Sequence, residues 1–196
     1  GVILLYGTFN LTEMIQQQQG PLSFSALGYT VTASHLIPNW GIFYQPIGMI
    51  LFFAATFAES NRLPFDLAEG EAELVAGFHT EYGGFKMLMF FIGEYGHMMI
   101  ASGLMATFFF GGYSIWSFTP DQVYGWLYGM TGSEQLSNIL NTVLHFLSYN
   151  VKFAIFLWIF IHVRWTLPRF RYDQLMDLGW KTMLPWALAN TMTTAV

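Results

Sequence analysis

FKMLMFFIGEYGHMMIASGLMATFFFGG, residues 85–112, decides the fold. From Met87 to Gly112 it holds one carboxylate, Glu94, and one histidine, His97, and no Lys or Arg. As a helix it would reach about 40 Å at 1.5 Å per residue. A hydrocarbon bilayer core is about 30 Å thick, so a span here must tilt or protrude.

Four other segments carry the same signature in whole or in part. They are Gly1 to about Met14, about Ile42 to Ala58 with Pro46 near its start, about His145 to Leu167, and Gly179 to Val196 with Pro185 inside. Composition agrees. The chain is 54% hydrophobic and only 10% charged, against about 25% charged in a soluble domain. The expected fold is therefore all-α, a polytopic transmembrane helix bundle in which about five spans are present, two of them partial. The chain reads as a single transmembrane domain over 1–196. Its first residue is Gly1, and an apolar run starts at once with no charged leader. That pattern is unlike a signal peptide, and it suggests the C-terminal portion of a longer protein.

The loops alternate in charge. Residues 16–41 and 113–150 contain no Lys or Arg. The loop 59–86 contains Arg62 and Lys86, and the loop 164–181 contains Arg164, Arg169, Arg171 and Lys181. Lys152 alone lies toward the other side. The positive-inside rule puts the two basic-containing loops in the cytoplasm or the mitochondrial matrix. Trp40, Trp116 and Trp126 suit an interfacial aromatic belt on the opposite face.

The acidic loop ESNRLPFDLAEGEAELVAGFHTEY, residues 59–82, is the chemically informative stretch. Asp66 followed by Glu69 resembles a capping box opening a short helix. On such a helix Glu69 and Glu73 share a face, and Leu74 and Phe78 supply an apolar one. Composition alone fits a solvated loop equally well. Interleaving with Leu, Val and Phe instead suits an element lying against the mouth of a bundle. Clustered carboxylates there would have raised, coupled pKa values, which suits proton uptake. Glu94 sits about two turns inside Lys86, with His97 three residues on and on the same face. A carboxylate at that depth costs roughly 2.5–3.5 kcal/mol on insertion scales and marks a functional candidate; a residue snorkelling to the interface is the plainer alternative. In the loop RWTLPRFRYDQLMDLGWK, residues 164–181, Arg164 fits a snorkelling anchor. Arg169, Arg171 and Asp173 are placed to pair with the acidic loop.

Other chemistries are excluded or unsupported. The chain contains no cysteine, so it offers no thiolate zinc site, disulfide or cysteine-held cluster. Its five histidines are dispersed without metal-ligand spacing, and its net charge of −5 carries no basic stripe for nucleic acid.

AESNRLPFDLAEGEAELVAGFHTEYGGFK, FFIGEYGHMM and RWTLPRFRYDQLMDLGWKTMLPWALAN together resemble the quinone-binding membrane subunits of the NADH:quinone oxidoreductases, known by the letter H in bacteria and as subunit 1 in mitochondria. The resemblance implies an eight-helix fold, of which this chain would hold the end of the fourth helix through the start of the eighth. It implies a membrane subunit of respiratory complex I, in the bacterial plasma membrane or mitochondrial inner membrane. Such a subunit forms part of the quinone tunnel and couples quinone reduction to proton translocation. Quinone would be substrate, and NADH, FMN and iron–sulfur clusters would sit in partner subunits, with no cofactor on this chain and no catalysis by it alone. The partners implied are iron–sulfur quinone-module subunits, antiporter-like membrane subunits and lipid. Glu59, Arg62, Asp66, Glu69, Glu71, Glu73 and Glu81 would belong to the cavity loop. Glu69, Glu73, Glu81, Glu94 and His97 would make the proton path, and Arg164, Arg169, Arg171 and Asp173 an ion-pair network. The chain departs from the family at Ala68 and Gly70, usually Pro and Ala, and at His97, where a small non-titrating polar residue is expected. Alternatives are the related subunit of a membrane-bound hydrogenase or formate hydrogenlyase, and an independent proton-coupled transporter.

The charge asymmetry makes a topological prediction. Reporters placed in loops 59–86 and 164–181 should both be cytoplasmic or matrix-facing, and protease access to either from the outer face alone would overturn the orientation.

Overall fold

The computed structural model describes residues 1–26, 29–32, 37–60, 64–65, 83–168 and 170–195. In chain order the elements are α1 (Val2–Tyr6), α2 (Leu11–Gln17), β1 (Ser23–Ala26), β2 (Tyr29–Thr32), α3 (Gly41–Tyr44), α4 (Pro46–Glu59), α5 (Phe85–Phe109), α6 (Pro120–Thr131), α7 (Glu134–Thr166), α8 (Tyr172–Asp177), a π-helical turn (Leu178–Met183) and α9 (Leu184–Ala195). The architecture is helical, as expected, with one addition. β1 and β2 form an antiparallel pair, Ser23 opposite Thr32 and Ala26 opposite Tyr29, in a stretch expected to be loop although SFSA and YTVT alternate polar and apolar residues.

α5 and α7 are long and apolar enough to cross a membrane. The most apolar window of α5 is 17% buried and that of α7 11%. Core helices of a soluble protein would be mostly buried, so these apolar surfaces suit lipid or neighbouring helices. The boundaries of the other expected spans shift for local reasons. The run from Gly1 to Met14 is not one helix: Gly7, at φ +65°, ends α1, and Asn10 caps α2 through its side-chain oxygen on the Thr12 N–H. α4 begins at Pro46, where the missing N–H costs nothing, and it is 14 residues long. α7 begins at Glu134 rather than near His145. Its first three turns are amphipathic, with Leu136, Ile139, Leu140, Val143 and Leu144 at helical spacing among polar residues, so hydropathy alone does not read them as part of a span. α6, inside a stretch expected to be loop, is opened by Thr119, whose N–H donates to Gln122 Oε1 at 3.2 Å. The π turn lies just before Pro185, whose ring and missing N–H cannot continue regular α-helical bonding.

The chain divides into two compact units, one of Gly1, Ile47–Ser102 and Phe156–Val196, the other of Val2–Pro46 and Gly103–Ile155. The first unit is built around rings. Phe57, Met98, Ala101 and Phe160 are buried together, with Phe53, Phe65, Leu157 and Val163 packed against them. Phe57 and Phe160 stack with centroids 4.4 Å apart.

The second unit is built around backbone groups that would otherwise be stranded. Beyond α5 the chain reverses through Gly111 and Gly112, at φ +70° and +51°, a backbone region that costs a side-chain-bearing residue. Lys152 Nζ donates to the carbonyls of Phe110, Gly112 and Ser114 at 2.7, 3.0 and 2.6 Å. Gln18, 1% exposed, uses both ends of its amide. Its Nε2 donates to Thr107 O at 2.8 Å and Met14 O at 3.2 Å, and its Oε1 accepts from Gly111 N at 3.0 Å and Gly41 N at 3.1 Å.

Replacing Gln18 by Leu keeps the bulk but strands the Gly41 and Gly111 N–H groups, at about 1–3 kcal/mol each. The Gln18→Leu protein should therefore melt several degrees lower in detergent; a melting temperature equal to wild type would show that water takes over both donors.

Candidate functional site

In the first unit a carboxylate at the end of α4 meets an imidazole on α5. α4 is apolar from Pro46 to Ala58 and terminates at Glu59. The turn is closed by Ser60, whose N–H donates to Thr56 O at 3.0 Å and whose hydroxyl donates to Phe57 O at 3.2 Å. Glu59 is thereby held at the membrane-side start of the acidic loop. Its Oε2 lies 3.6 Å from His97 Nε2 on α5, with the carboxylate side chain 72% exposed and the imidazole 35%. Glu94 is half-buried one turn earlier on the same helix. Helical spacing sets His97 beside Glu94; the structure gives its Nε2 to Glu59, a residue of another helix.

The two loops of the expected cytoplasmic or matrix face are joined. Phe170 N donates to Pro64 O at 3.1 Å, and the Phe65 and Phe170 rings lie 5.7 Å apart and tilted. Within the second loop Arg171 Nε is 3.5 Å from Asp173 Oδ2, both side chains exposed, and Lys181 Nζ is 2.8 Å from Asp177 Oδ1. Such exposed pairs contribute about 0–1 kcal/mol; among the described residues, Pro64, Phe65 and Phe170 make the joint. Arg164 is half-buried at the end of α7. Arg62, Asp66, Glu69, Glu71, Glu73, Glu81 and Arg169 lie outside the described residues. Among the described residues, no three His, Asp or Glu side chains are grouped to hold a metal ion.

The cross-helix pairing of Glu59 with His97 is not legible in any local pattern, because the partners are far apart in the chain. The available signal is a carboxylate ending one span and a histidine within the next.

The family model for NADH dehydrogenase matches residues 1–195. The chain is 70% identical over 195 residues to the H subunit of NADH-quinone oxidoreductase from Bdellovibrio bacteriovorus, covering 100% of this chain and 50% of that one. It is 44% identical over 193 residues to NADH-quinone oxidoreductase subunit 8 of Rhodothermus marinus, covering 98% of this chain and 54% of that protein. The corresponding H subunit of Flavobacterium psychrophilum is 39% identical over 195 residues, covering 100% of this chain and 49% of its own. The chain thus spans about half the length of the curated relatives it matches.

The loop joint is testable by limited proteolysis. Removing the Phe170 ring forfeits about 0.5–1.5 kcal/mol of aromatic pairing, so Phe170→Ala should speed cleavage in loop 164–181 by roughly 2- to 10-fold, whereas Arg171→Ala should leave it unchanged. Equal sensitivity of the two variants would return the joint to the charges.

Proposed function

The chain belongs to the NADH dehydrogenase family, and on that premise we propose that it works as a multi-pass membrane subunit of respiratory complex I. In this reading it lines part of the quinone tunnel and couples quinone reduction to proton translocation. Its place is a bacterial plasma membrane or a mitochondrial inner membrane. Quinone is the substrate; NADH, FMN and iron–sulfur clusters belong to partner subunits, and this chain catalyses nothing alone. Iron–sulfur quinone-module subunits, antiporter-like membrane subunits and lipid are its partners. The relatives are named for quinone, which favours this reading over that of a related hydrogenase subunit.

One observation carries the proposal: Glu94 stands half-buried in α5, an otherwise apolar helix fit to cross a membrane. Keeping a carboxylate there costs roughly 2.5–3.5 kcal/mol on insertion scales. A group retained at that cost has a use, and proton carriage is the use that needs a carboxyl. Glu59, Arg62, Asp66, Glu69, Glu71, Glu73 and Glu81 form the cavity loop in this reading. Protons pass by Glu69, Glu73, Glu81, Glu94 and His97. Arg164, Arg169, Arg171 and Asp173 set the charge of the facing loop. Clustered carboxylates disfavour one another's ionised forms, which would suit such a loop to proton uptake.

The test is quinone reductase activity with simultaneous proton translocation, measured on the assembled complex in proteoliposomes. Glu94→Asp should keep part of the coupled activity, while Glu94→Gln and Glu94→Ala should lose most of it. Glu69→Gln, Glu73→Gln and Glu81→Gln should each lower activity without dissociating the complex. Full pumping by an assembled Glu94→Gln complex would leave Glu94 a packing or tunnel-lining residue.

A further inference from the structure

The contact between α4 and α5 is of a different kind from the carboxylate chain. At 3.6 Å, Glu59 Oε2 and His97 Nε2 are beyond hydrogen-bond range but within ion-pair range. The contact is an ion pair only when His97 is protonated, and at this separation a neutral ring makes no hydrogen bond in either tautomer. Met98, next to His97, is buried with Phe57 and Phe160, which fixes the helix that carries the imidazole. The other charged or titratable groups on the packed helices are few. α5 itself carries Lys86, Glu94 and Tyr95, and α4 carries none besides Glu59. Along the part of α7 in the same unit lie His162, stacked on Trp158 at 5.0 Å, and Arg164.

We propose that His97 is the positioning residue for Glu59 and its proton-exchange partner, so that the pair is the junction between the acidic loop and Glu94; this rests on the coupling reading above. In the charged state the imidazolium holds the carboxylate against α5. Exchange breaks the Nε2–H bond of His97 and forms an O–H bond on Glu59 Oε2. The electron pair stays on Nε2, and the pair passes from zwitterion to neutral with no change of net charge. The approach that this needs, below 3.6 Å, is within reach of a side chain as exposed as Glu59, directly or through one water. Passing the proton on to the acidic loop restores the carboxylate, and a proton from the Glu94 side restores the imidazolium. Histidine is the side chain suited to this because its charge changes between about pH 5 and 8.

The experiment compares His97→Asn, Glu59→Gln and the double variant in the assembled complex, reading coupled activity against pH in proteoliposomes. Wild-type activity should fall as pH rises through the histidine range, because the imidazolium is lost. His97→Asn should lower coupled activity several-fold and flatten that limb. Glu59→Gln should do the same, and the double variant should be no worse than either single one, as expected of residues acting as a unit. His97→Gln, closer in size, carries the same comparison where the Asn variant does not assemble. A His97→Asn complex with the wild-type pH profile overturns the proposal, and so do losses that multiply in the double variant. Glu94→Gln serves as the control. Loss of pumping there alone sinks only the His97 role, while normal pumping there removes the coupling reading itself.

Discussion

Three carbonyl oxygens, those of Phe110, Gly112 and Ser114, converge on the Lys152 ammonium within 3.0 Å. A membrane interior offers no water to a carbonyl at a helix end, and each one left unpaired costs several kcal/mol. α5 ends at Phe109, and the chain must then turn sharply. An ammonium has three donors and no acceptor, so it can serve three carbonyls from one point. Its positive charge also suits the negative end of the helix dipole. The Trp40 ring lies 4.9 Å from the same nitrogen and adds a cation–π contact. With Gln18 taking the Thr107 carbonyl and the Gly111 N–H, the end of α5 is fixed by side chains.

The two units handle polarity in opposite ways. In the second, Gln18 and Lys152 spend their capacity on backbone groups, and both are held by several short bonds. In the first, apolar rings do the packing, and the titratable groups sit at its margin. Glu59 meets His97, and Arg171 meets Asp173, at 3.5–3.6 Å through exposed or half-exposed side chains.

Much of this was legible in the sequence, and the rest was hidden for specific reasons. Apolar blocks and scarce charge announced the helical membrane fold, and α5 begins where the pattern places it. The ordered match in residues 58–86, 90–99 and 164–190 pointed to the family to which the chain's relatives belong. Helix starts are misjudged where hydropathy misleads: in the first three turns of α7 Glu134, Gln135, Ser137, Asn138 and Asn141 interrupt the apolar run, and the helical spacing of Leu136, Ile139, Leu140 and Val143 is the signal that remains. Gly7 looks like one small residue in an apolar run, and its positive φ divides that run in two. The hairpin at Ser23–Thr32 was legible in the alternation of SFSA and YTVT around Leu27 and Gly28, a short signal beside the long apolar runs. Neither periodicity nor resemblance pointed to Gln18 or to the Glu59–His97 contact. Both are long-range pairings, settled by how helices meet rather than by any local pattern.

The contrast between the units also bears on which residues can carry protons. A group that moves a proton must exist in two charge states without disrupting what surrounds it. Deprotonating Lys152 would remove one of three donors from a site where three acceptors need them, at about 1–3 kcal/mol for the carbonyl left over. Lys152 spends its three donors on backbone carbonyls, which gives it a structural part in the second unit. His97 is bound differently. Its partner stands at ion-pair distance, and Glu59 is exposed enough for water to take over when the charge is lost. Transfer of a proton within that pair changes neither its net charge nor a backbone bond. In the proposed reading proton traffic belongs with the carboxylates and imidazole of the first unit, while the ammonium of the second holds the backbone carbonyls just beyond the end of α5.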